Sequence, residues 1–115
     1  MSINNTESIN KKKDEKINIS PENSHFTDNK QNTFIGTEAF VENIDGINNT
    51  AIGFRSQKNN ISKQNTSIGA FSGKGIKEGS RNITIGFKSD VSDELGNNQI
   101  VIGSGAVGHG DNKIV

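Results

Sequence analysis

The stretch Asn82-Ile83-Thr84-Ile85-Gly86-Phe87-Lys88-Ser89 decides the fold, because the chain repeats it. Ile-Gly pairs stand at Ile35-Gly36, Ile52-Gly53, Ile68-Gly69, Ile85-Gly86 and Ile102-Gly103, with spacings of 17, 16, 17 and 17 residues. Four residues before each Gly stands an amide: Asn32, Asn49, Asn65, Asn82 and Gln99. Three before stands a β-branched residue: Thr33, Thr50, Thr66, Ile83 and Ile100. Three after stands a small one: Ala39, Ser56, Ser72, Ser89 and Ala106. A fixed period of this length marks a stacked repeat in which each copy buries its surface against the next.

The positions three and one before Gly are β-branched, and the position between them varies as Phe34, Ala51, Ser67, Thr84 and Val101. That alternation describes a strand with one constant face. The constant, apolar face reads as the inward one. Ile35, Ile52, Ile68, Ile85 and Ile102 are therefore expected to line the roll. Gly36, Gly53, Gly69, Gly86 and Gly103 are expected to form its bends, where positive φ or close backbone approach is needed. On this reading Ile68→Asp abolishes folding, because an unpaired charge enters the core. A second short strand is expected after each Gly, as in Gly53–Ser56 and Gly86–Ser89, and then a polar turn. Single apolar residues interrupt the turns at Ile44, Ile61, Ile76, Val91 and Leu95, either to anchor the turn or to face a neighbour.

Two strands and two turns fill 16–17 residues, which leaves no room for a useful helix. Ile and Thr with abundant Gly and Asn disfavour one as well. The fold class predicted is all-β: a parallel β-roll of stacked 16–17-residue coils, with amide side chains at equivalent positions stacking into ladders. Lys16-Ile17-Asn18-Ile19-Ser20 matches Asn82–Gly86 and reads as a degenerate first coil. Asn112-Lys113-Ile114-Val115 matches Asn98–Val101 and opens a partial last coil. The expected organisation is a disordered tail over residues 1–15 and a roll over 16–115, with five full coils between those ends.

Composition narrows the function classes. The chain has 115 residues, of which 29% are hydrophobic and 5% aromatic, so a core of ordinary thickness is not available. No run approaches the roughly 18 apolar residues of a membrane span. Cys is absent, which excludes disulfides and cysteine-ligated zinc. Basic and acidic residues number 13 each, so no basic face points to nucleic acid. Lys11, Lys12, Lys13 and Lys16 cluster, but Asp14 and Glu15 interrupt them, as in a solvated tail. No apolar segment follows Met1 as in a signal peptide, so synthesis in the cytosol is expected, without membrane insertion. Phe34, Phe40, Phe54, Phe71 and Phe87 sit at variable positions. They serve either corner packing or a subunit interface, and the thin core favours the interface.

Chemical motifs are few. Gly103-Ser104-Gly105-Ala106-Val107-Gly108 matches a dinucleotide-binding turn, but seven residues remain after it, too few for the helix and acidic residue such a site needs. Gly73-Lys74-Gly75 lacks the frame of a phosphate loop. His25 and His109 are the two histidines, and His109 near Asp111 offers at most two metal ligands. Carboxylates scatter through the turns without forming a catalytic pair. No catalytic, cofactor-binding or metal residue is assigned and no cofactor is expected. Sequons stand at Asn4, Asn18, Asn48, Asn60, Asn65 and Asn82, as an Asn-, Ser- and Thr-rich composition produces, and without secretion they stay unmodified.

The motif Asn-Thr-x-Ile-Gly-x-x-Ser resembles the head repeat of trimeric autotransporter adhesins, the YadA-like heads, and similar repeats of phage and giant-virus fibre proteins. The resemblance covers about residues 16–115. It implies a left-handed parallel β-roll and a homotrimer around a central axis. The coils here are longer than the family's, near 14 residues, and a stalk, neck and membrane anchor are missing. The expectation is a non-enzymatic structural module of a virion fibre or surface layer. Its partners would be its own copies, other virion proteins, and a host-surface glycan or protein. A bacterial adhesin head fragment that binds matrix or glycan is the alternative. A monomeric β-helix acyltransferase is disfavoured, because its six-residue sub-period is missing.

Overall fold

The computed structural model describes residues 27–115. The expected tail and the degenerate coil at Lys16–Ser20 lie outside these residues. Five strands follow one another: β1 Thr33–Ile35, β2 Thr50–Ile52, β3 Thr66–Ile68, β4 Ile83–Ile85 and β5 Ile100–Ile102. They form one parallel sheet in chain order. Its register is that of the repeat: Thr33 opposite Thr50, Thr50 opposite Thr66, Thr66 opposite Ile83, Ile83 opposite Ile100. Like residues therefore stack in columns up the axis. Among the described residues the result is an all-β solenoid of about four turns without a helix. Ile114 bridges Ile100 in parallel, and Val115 N donates to Ile100 O at 2.7 Å, so Asn112–Val115 lies on β5.

The expected second strand after each Gly is a tight turn instead. Ala39, Ser56, Ser72, Ser89 and Ala106 each donate their N–H back to the carbonyl of the Gly three residues earlier, at 3.0–3.1 Å. Glu38, Arg55, Phe71 and Lys88, third in these turns, have φ near +60°. Positive φ at that place is the geometry of type II turns. A second left-handed residue precedes each ladder amide: Gln31, Asn48, Gln64, Arg81 and Asn98, at φ 55–62°. The chain thus turns at least twice per coil through a conformation that most side chains resist, and Phe40, Gln57 and Gly73 add a third such residue in three of the coils. Coil-to-coil bonds hold these corners, since Phe71 N donates to Phe54 O at 2.8 Å and Lys88 N to Ala70 O at 3.0 Å.

The strand face is opposite to the one expected. Ala51, Ser67, Thr84 and Val101, the variable central residues, are fully buried. Ile35, Ile68 and Ile102 are 40%, 39% and 55% exposed, and Ile52 and Ile85 are partly exposed. The apolar column expected to line the roll thus lies on its outer surface. Side chains alternate along a strand, so the buried amides at Asn32, Asn49, Asn65 and Asn82 force the residue two further on inward and its neighbours outward. The interior is narrow and takes small groups. Ser56, Ser67, Ser72, Thr84 and Ser89 are buried together, and Thr84 Oγ1 lies 2.6 Å from Ser67 Oγ and 2.8 Å from Ser72 Oγ.

Apolar filling is confined to a few places. Phe34 and Phe40 pack against each other at 5.7 Å with Ala39 and Ala51, so these two rings belong to the chain's own core. Among the turn residues, Ile76 and Val91 are buried anchors, whereas Ile44, Ile61 and Leu95 are exposed.

Gly69 shows why the bends need glycine. Its φ is +130°, and a Cβ there would meet Gly86 O at 2.8 Å. Gly103, last in the column, has φ +137° but finds its nearest contact at 3.6 Å. Both substitutions to Ala incur backbone strain of order 1–3 kcal/mol, and only Gly69→Ala adds a backbone clash. Denaturant unfolding is expected to show Gly69→Ala clearly less stable than Gly103→Ala; equal losses would refute the stacking explanation.

Candidate functional site

Two features outside the interior are candidates for function: the outer strand face, and a groove at the corner that follows it. Both depend on the amide ladder, which holds the coils in register. Asn49 N and Nδ2 donate to Asn32 Oδ1 at 2.9 and 3.2 Å. Asn65 N donates to Asn49 Oδ1 at 2.8 Å, and Asn82 N and Nδ2 donate to Asn65 Oδ1, both at 3.0 Å. Each Nδ2 also donates to a turn carbonyl: Asn32 to Gly46, Asn49 to Ser62, Asn65 to Gly79 and Asn82 to Gly96, at 2.7–2.9 Å. One side chain thereby ties its own turn to its strand and its coil to the next.

The ladder changes at both ends. Asp28 stands where a preceding amide would, accepting from Asn32 N at 3.2 Å and Asn32 Nδ2 at 2.9 Å. Burial raises the Asp28 pKa, but hydrogen bonds from Asn32 and Lys30 and the Lys30 charge outweigh it, and the net shift is downward. At the other end Gln99 N still accepts the ladder's direction by donating to Asn82 Oδ1 at 3.0 Å. Its longer side chain turns away, donating to Ser92 Oγ at 2.9 Å and to Asp111 Oδ1 at 3.3 Å.

The outer face consists of the two columns Thr33, Thr50, Thr66, Ile83, Ile100 and Ile35, Ile52, Ile68, Ile85, Ile102. None of the ten is buried in the chain. The column is continuous because the register is uniform, and it becomes more apolar toward β5. The glycines Gly36, Gly53, Gly69, Gly86 and Gly103 end this face, all with φ of 127–137°.

The groove has a volume of 510 Å³ and is lined by Phe71, Lys74, Phe87, Lys88, Asp90 and Val107. Phe54, Phe71 and Phe87 stack edge to face up the axis at 5.3 and 6.2 Å, a favoured aromatic arrangement. Arg55 lies 4.9 Å over the Phe54 ring and Lys88 5.3 Å over Phe87. These cations cover ring faces that a ligand would otherwise use. The Asp90 carboxylate is also occupied. It accepts from Gly75 N at 2.8 and 2.9 Å and from Val91 N at 2.9 Å. Its neighbours Gly75 and Val107 are the coils on either side, and Asp90 bridges Val107 in parallel. Burial pushes its pKa up, against the hydrogen bonds from Val91 and Gly75 and the Lys74 charge.

Among the described residues the remaining sequence motifs come together in no further cluster; His25 and the lysines at 11–16 lie outside those residues. Gly103–Gly108 makes the same corner as the other coils, with Gly103 N donating to Ile85 O at 2.8 Å. His109 and Asp111 are exposed, and among the described residues no three His, Cys, Asp or Glu side chains gather as metal ligands. Sequence reasoning missed the groove because its members come from three coils, and Lys88 and Phe71 occupy left-handed turn positions that no glycine or asparagine announces. No known protein family, curated protein or solved structure matches this chain.

Two outcomes test these features. Asn65→Ala leaves Asn82 N and Gly79 O without partners inside the roll and removes one of the two hydrogen bonds of Asn82 Nδ2, at about 1–3 kcal/mol per stranded group before relaxation. A loss of about 3 kcal/mol or more in urea unfolding is expected, and a loss below about 1 kcal/mol would refute the role of the ladder. For Asp90 the raised folded pKa gives a sign. Its contribution to stability is full below the unfolded carboxylate pKa and declines as pH rises through the folded value. An NMR titration of the Asp90 carboxyl carbon is expected to place its midpoint above the ordinary 3.8.

Proposed function

We propose that this chain is a non-enzymatic structural module that assembles through its outer strand face as a homotrimer. In that role it forms a rigid segment of a virion fibre or surface layer and meets a host-surface glycan or protein. The left-handed sense of the roll, the threefold assembly and the virion or cell-surface setting come with the resemblance to adhesin heads and virus fibres. The observation that carries the assembly is an inverted distribution of polarity. The interior is built of hydrogen-bonded Asn, Ser and Thr, while Ile35, Ile52, Ile68, Ile85, Ile100 and Ile102 stand on the surface in register. A contiguous exposed apolar patch of this kind marks an interaction surface in a soluble protein. A second copy of the same chain is the partner proposed, because its columns repeat at the same spacing.

A structural role agrees with the rest of the molecule. In the groove the Asp90 carboxylate is held by backbone N–H groups and Lys88 lies over Phe87, and the coils are locked by buried ladders. The proposal is tested by light scattering on the purified chain together with Ile68→Asp. A mass near three times 12.4 kDa is expected for the wild type. The variant is expected to keep its β-sheet circular dichroism while falling to the mass of one chain, since Ile68 lies outside the interior. A wild-type mass of one chain overturns the assembly. A variant that unfolds as a monomer would return Ile68 to the core.

A further inference from the structure

Of the six sequons, four lie among the described residues, and the fold treats them unequally. Asn60, Asn65 and Asn82 are fully buried, and Asn48 is exposed at a left-handed corner. The buried three use Nδ2, the atom that N-glycosylation modifies. Asn60 Nδ2 donates to Asn49 Oδ1 at 3.1 Å and Gln57 Oε1 at 2.7 Å. Asn82 Nδ2 donates to Asn65 Oδ1 at 3.0 Å and Gly96 O at 2.7 Å. Asn65 Nδ2 donates to Gly79 O at 2.9 Å. A sequon that carries a glycan normally lies in a surface loop.

The chemistry makes the conflict definite. Transfer from a lipid-linked oligosaccharide forms a bond between the sugar's anomeric carbon and Asn Nδ2. The lipid diphosphate leaves with the electron pair of the broken carbon–oxygen bond, and one Nδ2 proton is lost to base. Asn60 and Asn82 would thus lose one of two hydrogen bonds to a group that has no room. Within a secretory compartment the modification reaches the chain before it folds.

We infer that N-glycosylation and this fold exclude one another at Asn60, Asn65 and Asn82, that Asn48 is the modification site the folded roll presents, and that the chain matures where no oligosaccharyltransferase meets it unfolded. The inference rests on buried atoms alone and holds whether or not the roll assembles as proposed.

The test expresses the full chain in eukaryotic cells, once in the cytosol and once behind an added secretory signal, with and without an inhibitor of lipid-linked oligosaccharide synthesis. The cytosolic chain is expected to be protease-resistant. The secretory chain is expected to carry glycans at the buried sequons, to lose its protease-resistant core and to be retained. The inhibitor is expected to restore resistance. A secreted, protease-resistant chain with a glycan mapped to Asn60, Asn65 or Asn82 overturns the inference. A secretory chain that folds with all three unoccupied overturns the inferred place of maturation, and one that the inhibitor fails to rescue overturns the exclusion. In vitro, a soluble N-glycosyltransferase with a nucleotide-sugar donor is expected to modify Asn48 and spare the other three in the native protein, and to modify all four after denaturation. Native modification of Asn82 would also overturn it.

Discussion

Each coil among the described residues depends on the buried amide four residues before the Gly of its Ile-Gly pair. An asparagine side chain carries one acceptor and two donors, and the ladder uses both kinds. The oxygen accepts from the next coil, and the nitrogen donates to the carbonyl of its own turn and, in Asn32, Asn49 and Asn82, to the acceptor behind it. Such groups are costly to bury unpaired and close to neutral when fully paired. The ladder therefore acts less as a source of net stability than as a filter on register. A slip of one residue would strand a column of amides and turn carbonyls, so alternative pairings are strongly penalised.

From that constraint the inverted polarity follows. Once Asn32, Asn49, Asn65 and Asn82 point inward, alternation sends Phe34, Ala51, Ser67 and Thr84 inward with them and turns the Ile column out. A roll this narrow has room for amides, hydroxyls, small apolar groups and a few larger side chains such as Phe40 and Ile76, not for a layer of isoleucines from both sides. Its stability as a single chain rests on satisfied hydrogen bonds and close backbone stacking. The exposed Ile face is then the largest reserve of apolar area that association can remove from water. The same economy accounts for the corners, where side chains as large as Phe71 and Lys88 hold left-handed φ because coil-to-coil hydrogen bonds over-determine the turn.

The buried ladder also links the fold to the conditions in which the chain matures. Asparagines that serve as structural donors cannot serve as glycan acceptors, and three sequons overlap the ladder and its neighbour Asn60. Under the proposed assembly the apolar outer face imposes a parallel demand, since it would have to meet a second copy before it meets unrelated surfaces. Both features favour a chain that folds and assembles promptly after synthesis. The Phe54–Phe71–Phe87 stack adds a rigid, cation-capped edge beside that face.

Much of this architecture was legible in the residues. The Ile-Gly period gives the strands, their parallel order and their register, because stacking identical units is the cheapest way to satisfy repeated Gly and Asn. The amide ladder and the glycine bends follow from the same columns. Strand parity was not legible from hydrophobicity, since the apolar column is ordinarily the buried one, and here a hydrogen-bonded amide three positions before each Ile, hence on the opposite face, outranks it. Nor did the second strand form. Gly-x-x-Ser closes into a turn whose third residue is left-handed, and Glu38, Arg55, Phe71 and Lys88 give no local sign of that conformation. The sequence by itself determined a parallel stack of coils in one register. Only the tertiary structure decided which face is inside, because that choice is made by the width of the roll and by the partners of its buried polar atoms, both of which exist only once the coils are stacked.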